Sequence, residues 1–393
     1  MNGDRLRRLL VARTRADEAG VGLESVPIDE AAPPRTADVT GRVEAAAERR
    51  LASGVDVDRR DFNAALDALL HTTARATQRL DDDPETQLDA EELAALETVV
   101  LADGTRPSLL VRDGEPDPVD PNDPLARQWI NDLSGAGEPL RRAIDAIGRV
   151  EPDGATGSSF FGTCWVVDHK AGLALTNLHV LHAMRKRLPH AIARSGSGFR
   201  VFDGAFVDFR AESDSTDTHR FQVVEAFASG VEGQDFARLD AAVLRLAPLP
   251  GGPTELPGAI TVSASPNGPL GRFDTCCVVG YPGRPRHTTG TVDGVDWDWV
   301  NRTLFGRLYG VKRLAPGAVH RPLGSLPGDA REWVFGHDAT TLGGNSGSPV
   351  LAWDDTSFGL HFAGITMDTN CAHGISAIAT QLAALGVPLR DQQ

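Results

Sequence analysis

The sequence predicts a mainly β-structured C-terminal region, residues 146–393, preceded by a mainly α-helical N-terminal region, residues 1–145. Two observations carry this prediction. The C-terminal region contains short apolar runs separated by turn residues, which is typical of strands. The N-terminal region contains segments rich in alanine, arginine and acidic residues, with helical periodicity. Residues 115–124 are rich in proline and acidic residues, which indicates a linker near the junction.

The N-terminal region divides into helical segments, a strand-like segment and a final helix. In the third helical segment, Phe62, Leu66 and Leu69 fall on one face of the helix. None of these segments contains a motif that indicates a chemical activity, so the candidate chemistry lies further along the chain. The predicted helices lie near residues 5–19, 39–53, 59–80, 89–101 and 124–147, and the strand-like segment covers residues 105–114.

The first apolar runs of the C-terminal region predict a β-hairpin that leads to a histidine. Residues 162–167 and 173–181 are separated by Asp168-His169-Lys170-Ala171-Gly172, a composition that favours a turn. His179 lies just past the second strand, where a short helix or turn would hold it at a sheet edge. A histidine in such a place is more often structural than catalytic. The Leu-Thr-Asn-Leu-His-Val sequence around His179 nevertheless makes it a candidate general base.

An aspartate stands at the head of a later apolar strand. Asp240 precedes residues 241–246, which are almost purely aliphatic. A carboxylate is unfavourable at the buried start of a strand unless another group pairs with it. We therefore interpret Asp240 as a candidate partner of a histidine. Asp235 is a rival candidate, and a surface aspartate that caps the strand is the alternative interpretation.

Residues 340–350, Thr-Thr-Leu-Gly-Gly-Asn-Ser-Gly-Ser-Pro-Val, predict a loop that presents a serine nucleophile. A serine hydroxyl needs a neighbouring base to react. The glycines allow a sharp turn that aims the N–H groups of Gly344 and Ser346, with Asn345 beside them, at one point. Each such donor stabilises a developing oxyanion by roughly 3 kcal/mol. Alone this run indicates only a turn, but His179 and Asp240 upstream favour the catalytic interpretation.

These three segments resemble the trypsin-like serine peptidases over about residues 146–388. The order His179, Asp240, Ser346 is that of this superfamily, whereas subtilisins and α/β-hydrolases use other orders. Residues 278–283 resemble the strand end between the acid and the serine, and residues 359–365 resemble the strand that lines the substrate. The resemblance implies two six-stranded antiparallel β-barrels and hydrolysis of peptide bonds through an acyl-enzyme. It implies no metal ion or other cofactor.

The Gly-Asn-Ser-Gly-Ser-Pro-Val version of the serine loop resembles the bacterial branch that includes the glutamyl endopeptidases. In that branch, a threonine five residues before the serine and a histidine on the following strand contact the substrate carboxylate. Thr341 and His361 occupy these places, and Phe362 and Gly364 follow as further substrate-binding candidates. The resemblance therefore implies cleavage after Glu or Asp. The alternative is that His361 only packs at the base of the pocket and that the preference is broad.

Composition limits the remaining possibilities. The formal charge of −15 on 393 residues argues against non-specific binding of nucleic acid or anionic membranes. The start of the chain lacks a convincing secretory signal, and no apolar stretch approaches the roughly 18 residues of a membrane span. The four cysteines are interpreted as buried apolar residues. We therefore expect a cytoplasmic bacterial protein.

Three functional hypotheses remain open from the sequence. The first is an endopeptidase that acts on protein or peptide substrates and is held latent by residues 1–145 until a regulatory or effector protein, or a cleavage, releases it. In the second hypothesis, the chain is an HtrA-type quality-control protease without PDZ domains. The third is a catalytically silent scaffold or binding protein with the protease fold. The N-terminal region has a simpler alternative, which is a helical packing extension.

Overall fold

The structure is a computed structural model, and it describes ten ranges of the chain. The predicted helices before residue 106 and the rival acid Asp235 lie outside them. Within the described ranges, the chain forms nineteen strands and four α-helices. The ranges are 106–123, 126–155, 159–195, 198–228, 239–265, 274–285, 291–292, 295–326, 329–365 and 369–390.

The strands are short, and most carry buried side chains on one or both faces. In chain order they are β1 (Leu109–Arg112), β2 (Glu115–Pro116), β3 (Ile147–Pro152), β4 (Gly162–Asp168), β5 (Leu173–Thr176), β6 (Ile192–Ser195), β7 (Gly198–Val201), β8 (Ala205–Asp208), β9 (Arg220–Ala228), β10 (Ala242–Pro248), β11 (Thr261–Val262), β12 (Thr275–Gly280), β13 (Thr291–Val292), β14 (Val295–Asp296), β15 (Arg313–Arg321), β16 (Val334–His337), β17 (Pro349–Leu351), β18 (Thr356–Ile365) and β19 (Thr369–Gly374). The helices are α1 (Ile130–Asp145), α2 (Leu178–Arg187), α3 (Trp297–Trp299) and α4 (Ala379–Ala384), with a 3₁₀ turn at Arg127–Trp129 and a π-helical turn at Val300–Leu304.

The first sheet closes into a six-stranded antiparallel barrel. Its strands pair in the order β10-β5-β4-β3-β8-β9, and β9 pairs with β10 to complete the ring. The β6–β7 hairpin extends this sheet from β9. Apolar side chains such as Trp165 and Phe221 fill the interior. Closure leaves no free edge in the ring, which removes the unpaired backbone groups that edge strands expose.

The second sheet closes in the same way. Its ring is β12-β17-β18-β19-β16-β15, and β15 pairs with β12. The short strand β1 adds to the outside of β15, and β11 lies parallel to β18. The predicted double six-stranded barrel is confirmed. No helix within the described ranges is both long and apolar enough to span a membrane.

Helix α1 is shorter than the helix predicted over residues 124–147. It begins at Ile130, and Gly137 adopts a non-helical conformation with φ 55° and ψ −149°. This break explains how Pro139 is accommodated. A proline lacks the N–H group that the interior of a helix requires, but it is tolerated in a first turn. Pro139 lies in the first turn after the break.

One buried lysine joins the segment before residue 146 to both barrels. Lys312 is fully buried, and its Nζ donates to the carbonyls of Ile144 (2.9 Å) and Phe209 (2.8 Å) and to Glu212 Oε1 (3.3 Å). Glu212 Oε2 in turn accepts the N–H of Gly114 at 3.1 Å. Burial lowers the pKa of Lys312, while Glu212 opposes that shift. On these contacts, and on the 2.6 Å ion pair of Arg106 with Asp338, we propose that the barrel unit begins at or before residue 106 instead of at residue 146.

Candidate active site

Two paired strands of the first barrel bring His179 and Asp240 together. Thr176 at the end of β5 lies opposite Ala242 at the start of β10. Asn177 is extended and begins helix α2, so that His179 lies in the first turn of the helix, and the Asn177 amide donates to the Asp240 carbonyl at 2.7 Å. His179 therefore follows the end of β5 and Asp240 precedes the start of β10, so both lie at the same end of this strand pair.

The Asp240 carboxylate accepts two hydrogen bonds from one residue. The backbone N–H of His179 donates to Oδ1 at 3.0 Å, and ring Nδ1 lies 2.8 Å from Oδ2. The Asp240 side chain is only 5% exposed, whereas that of His179 is 27% exposed. A buried carboxylate is stable only when such partners replace its hydration. The pair therefore has an enclosed acid end and an accessible imidazole end.

The serine loop between β16 and β17 lies against the first barrel. The N–H of Thr163 on β4 donates to the Ser346 carbonyl at 2.9 Å. A Cβ added at Gly162 would lie 2.7 Å from Val180 Cγ2 and 3.0 Å from the Ser346 carbonyl oxygen. Val180, which follows His179, and Ser346 therefore both pack against Gly162 on β4. Ser346 itself is partly exposed.

The turn before Ser346 requires glycine. Gly344 has a φ of +98°, and a Cβ there would lie 2.6 Å from the Tyr281 carbonyl oxygen and 2.7 Å from Phe160 Cζ. An L side chain at this position is excluded by both the backbone conformation and the space. The observed backbone conformation of the loop therefore requires glycine at position 344.

Hydrogen bonds within the loop distinguish Asn345 from the other two candidate oxyanion donors, Gly344 and Ser346. The N–H of Asn345 donates to the Leu342 carbonyl at 3.1 Å, and its side-chain amide donates to the same oxygen at 3.2 Å. Within the described ranges, the N–H groups of Gly344 and Ser346 donate to no protein acceptor. Asn345 lies between these two residues and is also a candidate donor from the sequence. In the structure, the Asn345 N–H groups are already engaged with Leu342.

Thr341 is buried near the end of β19. Its hydroxyl donates to Asn370 Oδ1 at 2.6 Å, and Asn370 Nδ2 donates to the Ala339 carbonyl at 2.5 Å. The second bond fixes the orientation of the amide, so that its oxygen faces Thr341. The proton of the Thr341 hydroxyl is therefore already used within the protein.

His361 is buried on β18 beside a second histidine. Its Nδ1 lies 3.2 Å from Nε2 of His337 on β16, and the two rings meet edge to face at 5.3 Å. Burial, and then the nearby His179, lowers the pKa of His361 to about 3. Burial, with His361 and His320 as like-charged neighbours, holds the pKa of His337 well below its ordinary value. Both rings are therefore neutral at neutral pH.

Phe362 and Gly364, the next substrate-binding candidates on β18, lie in different surroundings. The Phe362 ring is buried and stacks on His373 with ring centroids 4.3 Å apart. Gly364 lies opposite Asn370 on β19. The Phe362 side chain belongs to the core, which leaves its backbone as the part available to a substrate.

A comparison with known families matches the part of the chain that carries these residues. The sequence pattern of the family described as trypsin-like peptidase domain matches residues 162–360, just over half of the chain. The matched range contains His179, Asp240 and Ser346. The chain belongs to the trypsin-like peptidase family. The match ends immediately before His361, so the matched range does not include this residue.

Two further proteins are similar to this trypsin-like peptidase. A protein of Lysobacter enzymogenes named "probable serine protease" is 39% identical over 339 residues, which covers 84% of this chain and 85% of the relative. The crystal structure of Deg5 matches with a TM-score of 0.38 and 16% identity, covering 65% of this chain and 96% of the Deg5 chain. A TM-score this low carries no argument.

Sequence reasoning missed two histidines of the peptidase. His373 on β19 accepts the N–H of Asp240 through Nε2 at 3.3 Å, which connects the second barrel to the acid. His337 contacts His361, as described above. Both residues lie in short strands without a recognisable motif, Val-Phe-Gly-His and Asn-Cys-Ala-His. Only the pairing of β16 and β18 with β19 reveals them.

Proposed function

We propose that this trypsin-like peptidase is a serine endopeptidase, with Ser346 as nucleophile, His179 as general base and Asp240 as the acid that orients His179. The 2.8 Å contact between His179 Nδ1 and Asp240 Oδ2 carries the proposal. An ionised carboxylate only accepts hydrogen bonds, so the shared proton lies on Nδ1. Nε2 is then unprotonated and ready to accept the proton of the Ser346 hydroxyl.

The reaction is a two-step acyl transfer. Ser346 Oγ attacks the peptide carbonyl while His179 Nε2 takes the hydroxyl proton, and the carbonyl oxygen becomes an oxyanion that the N–H groups of Gly344 and Ser346 stabilise. The C–N bond breaks as the His179 imidazolium gives its proton to the leaving amine. Water then attacks the ester while His179 takes one of its protons; the C–Oγ bond breaks, His179 returns the proton to Ser346 Oγ, and the carboxylic acid leaves. Asp240 stabilises the imidazolium in both steps.

We further propose that residues before the barrels hold the enzyme latent. This proposal and the catalytic one are tested together with a fluorophosphonate, which reacts with an activated serine. The full chain, carrying an inserted cleavage sequence for an unrelated protease between Asp103 and Gly104, is labelled before and after cleavage. We expect one label, on Ser346 and absent from Ser346→Ala, with faster labelling after cleavage.

Each outcome of this labelling experiment has a distinct meaning. Equal labelling before and after cleavage would contradict latency but leave the peptidase proposal intact. If both forms lack label at Ser346 and neither cuts a mixed peptide library, the catalytic proposal is wrong. In that case a silent binding protein with the protease fold is the better description.

We also propose that the peptidase prefers Glu or Asp on the acyl side of the cleaved bond. The proposal assigns the proton of the 3.2 Å contact between the two rings to His337 Nε2, which donates to His361 Nδ1, so that the proton of neutral His361 lies on Nε2. That N–H is the donor available to a substrate carboxylate. Thr341 is engaged with Asn370, so the proposal assigns the direct contact to His361. Thr341, Phe362 and Gly364 then line the pocket.

Replacing His361 with leucine should remove this selectivity. We expect kcat/KM for a peptide with Glu on the acyl side to fall about 10- to 100-fold, because a hydrogen bond to a charged group is lost. The same peptide with Gln should change little. The measurement is kcat/KM for the Glu and Gln peptides, with the exposed His190→Leu as the matched control. An equal loss on both peptides would show that His361 only packs the pocket.

A further inference from the structure

A single threonine of the first barrel holds the serine loop of the second. Thr163 is fully buried, its N–H donates to the Ser346 carbonyl at 2.9 Å, and its hydroxyl donates to the Gly344 carbonyl at 2.8 Å. The hydroxyl oxygen also accepts the N–H of Tyr281 at 3.2 Å, and the Thr163 carbonyl accepts from Thr176 Oγ1 at 2.7 Å. Every polar group of Thr163 is therefore engaged.

The carbonyls of the loop determine where its N–H groups point. A trans peptide is planar, and its C=O and N–H point in opposite directions. The Gly283 N–H donates to the Gly343 carbonyl at 2.6 Å, which turns the Gly344 N–H away from Gly283. The Ser348 N–H donates to the Asn345 carbonyl at 2.9 Å, which fixes the direction of the Ser346 N–H.

Thr163 holds the two peptide groups that alternate with these. Its hydroxyl fixes the Gly344–Asn345 peptide, and its N–H fixes the Ser346–Gly347 peptide. All four peptides from Gly343 to Gly347 thus have a bound carbonyl. Of the N–H groups in these four peptides, those of Asn345 and Gly347 donate to the carbonyls of Leu342 and His361, whereas those of Gly344 and Ser346 donate to no acceptor in the described part of the chain.

We propose that Thr163 is a positioning residue that aims the N–H groups of Gly344 and Ser346 at the oxyanion of the reaction. This inference rests on the proposed serine endopeptidase activity and extends it. Asn345 is uncharged and its amide bonds the Leu342 carbonyl, so the loop forms without an ion pair at that residue. The loop is thus held by hydrogen bonds from Thr163 of the first barrel together with those from Gly283 and Ser348.

Replacing Thr163 with valine tests the role of the hydroxyl. Valine keeps the shape of the side chain but can neither donate to the Gly344 carbonyl nor accept from Tyr281. We expect kcat to fall about 10- to 100-fold, less than the 10²- to 10³-fold typical of deleting one oxyanion donor outright. KM should change little, because the hydroxyl does not touch substrate. Thr163→Ser, which restores the hydroxyl, should recover most of kcat.

The measurements use the full chain and count active sites by fluorophosphonate label, so that unfolded molecules do not affect kcat. Affinity for a peptide aldehyde, whose serine adduct is tetrahedral, should weaken with kcat in Thr163→Val. The control is Ser357→Ala, which removes another buried hydroxyl, one that donates to the Val350 and Gly359 carbonyls. It should lower the unfolding midpoint and leave kcat unchanged.

The outcomes separate this inference from the function on which it rests. Absence of label on the wild-type protein both before and after cleavage between Asp103 and Gly104 would contradict the serine endopeptidase itself. If the wild type is labelled and Thr163→Val keeps kcat and aldehyde affinity while its unfolding midpoint falls, Thr163 is only structural and the inference is wrong. Should the valine variant fail to fold, Thr163→Ala is measured in the same way, with the same loss of kcat expected.

Discussion

Asp240→Asn is expected to lower kcat about 10⁴-fold while KM stays nearly constant, because the substitution imposes the wrong tautomer on His179. Asparagine matches aspartate in shape but has one acceptor and one donor. The acceptor oxygen must face the backbone N–H of His179, which now donates to Asp240 Oδ1 at 3.0 Å. The NH₂ group then faces Nδ1. His179 must carry its proton on Nε2 and cannot accept the proton of Ser346.

The control for this prediction is Asp235, the alternative candidate acid from the sequence. Asp235→Asn should leave kcat close to that of the wild type, since the contacts with His179 belong to Asp240. Both variants are assayed on one peptide substrate at one pH, with KM measured separately from kcat. A loss of less than about tenfold in Asp240→Asn, or an equal loss in Asp235→Asn, would contradict the assigned role of Asp240.

Acid is expected to destabilise the protein through its buried histidines. His361 has a folded-state pKa of about 3, and burial also lowers the pKa of His337. In the unfolded chain, both titrate near about pH 6.5. Below that pH the unfolded state binds more protons than the folded state, so the free energy of unfolding falls as pH falls. For His361 the loss continues to about pH 3, where the folded form also takes up its proton.

The slope of the free energy of unfolding against pH gives the size of this destabilisation. Each histidine that stays neutral when folded contributes about 1.4 kcal/mol per pH unit within its window. Urea unfolding between about pH 7 and pH 4 measures the slope. The double variant His337→Gln/His361→Gln should flatten the curve, whereas the exposed His190→Gln should not. An unchanged slope in the double variant would show that the two buried rings do not cause the acid sensitivity.

Local sequence was enough to predict the fold class and to select the candidate site. The turn between β4 and β5, the aliphatic strand after Asp240 and the glycines before Ser346 are features of neighbouring residues. Because each feature is local, propensity and periodicity reveal it. The linker region was harder to interpret. Its helix begins at Ile130, after a 3₁₀ turn at Arg127–Trp129, and Gly137 interrupts it ahead of Pro139.

The remaining parts of the site depend on contacts between distant segments. His337 and His361 are 24 residues apart, and Asp240 and His373 are 133 residues apart. Thr163 contacts the Gly344 carbonyl 181 residues away. A sequence shows the identity of such residues but not their pairing, because the register of strands from different hairpins decides which side chains meet.

The buried Lys312 limits where this protein can be divided. The proline-rich stretch at residues 115–124 has the composition of a separable linker, yet Gly114 before it and Ile144 after it both belong to the Lys312–Glu212 cluster. A fragment that starts at Ala146 would remove the Ile144 carbonyl that Lys312 binds and the Gly114 N–H that Glu212 accepts, and each buried group left unsatisfied costs about 1–3 kcal/mol. We therefore propose that residues 106–145 fold with the two barrels and that truncation of the chain is tolerated only upstream of residue 106.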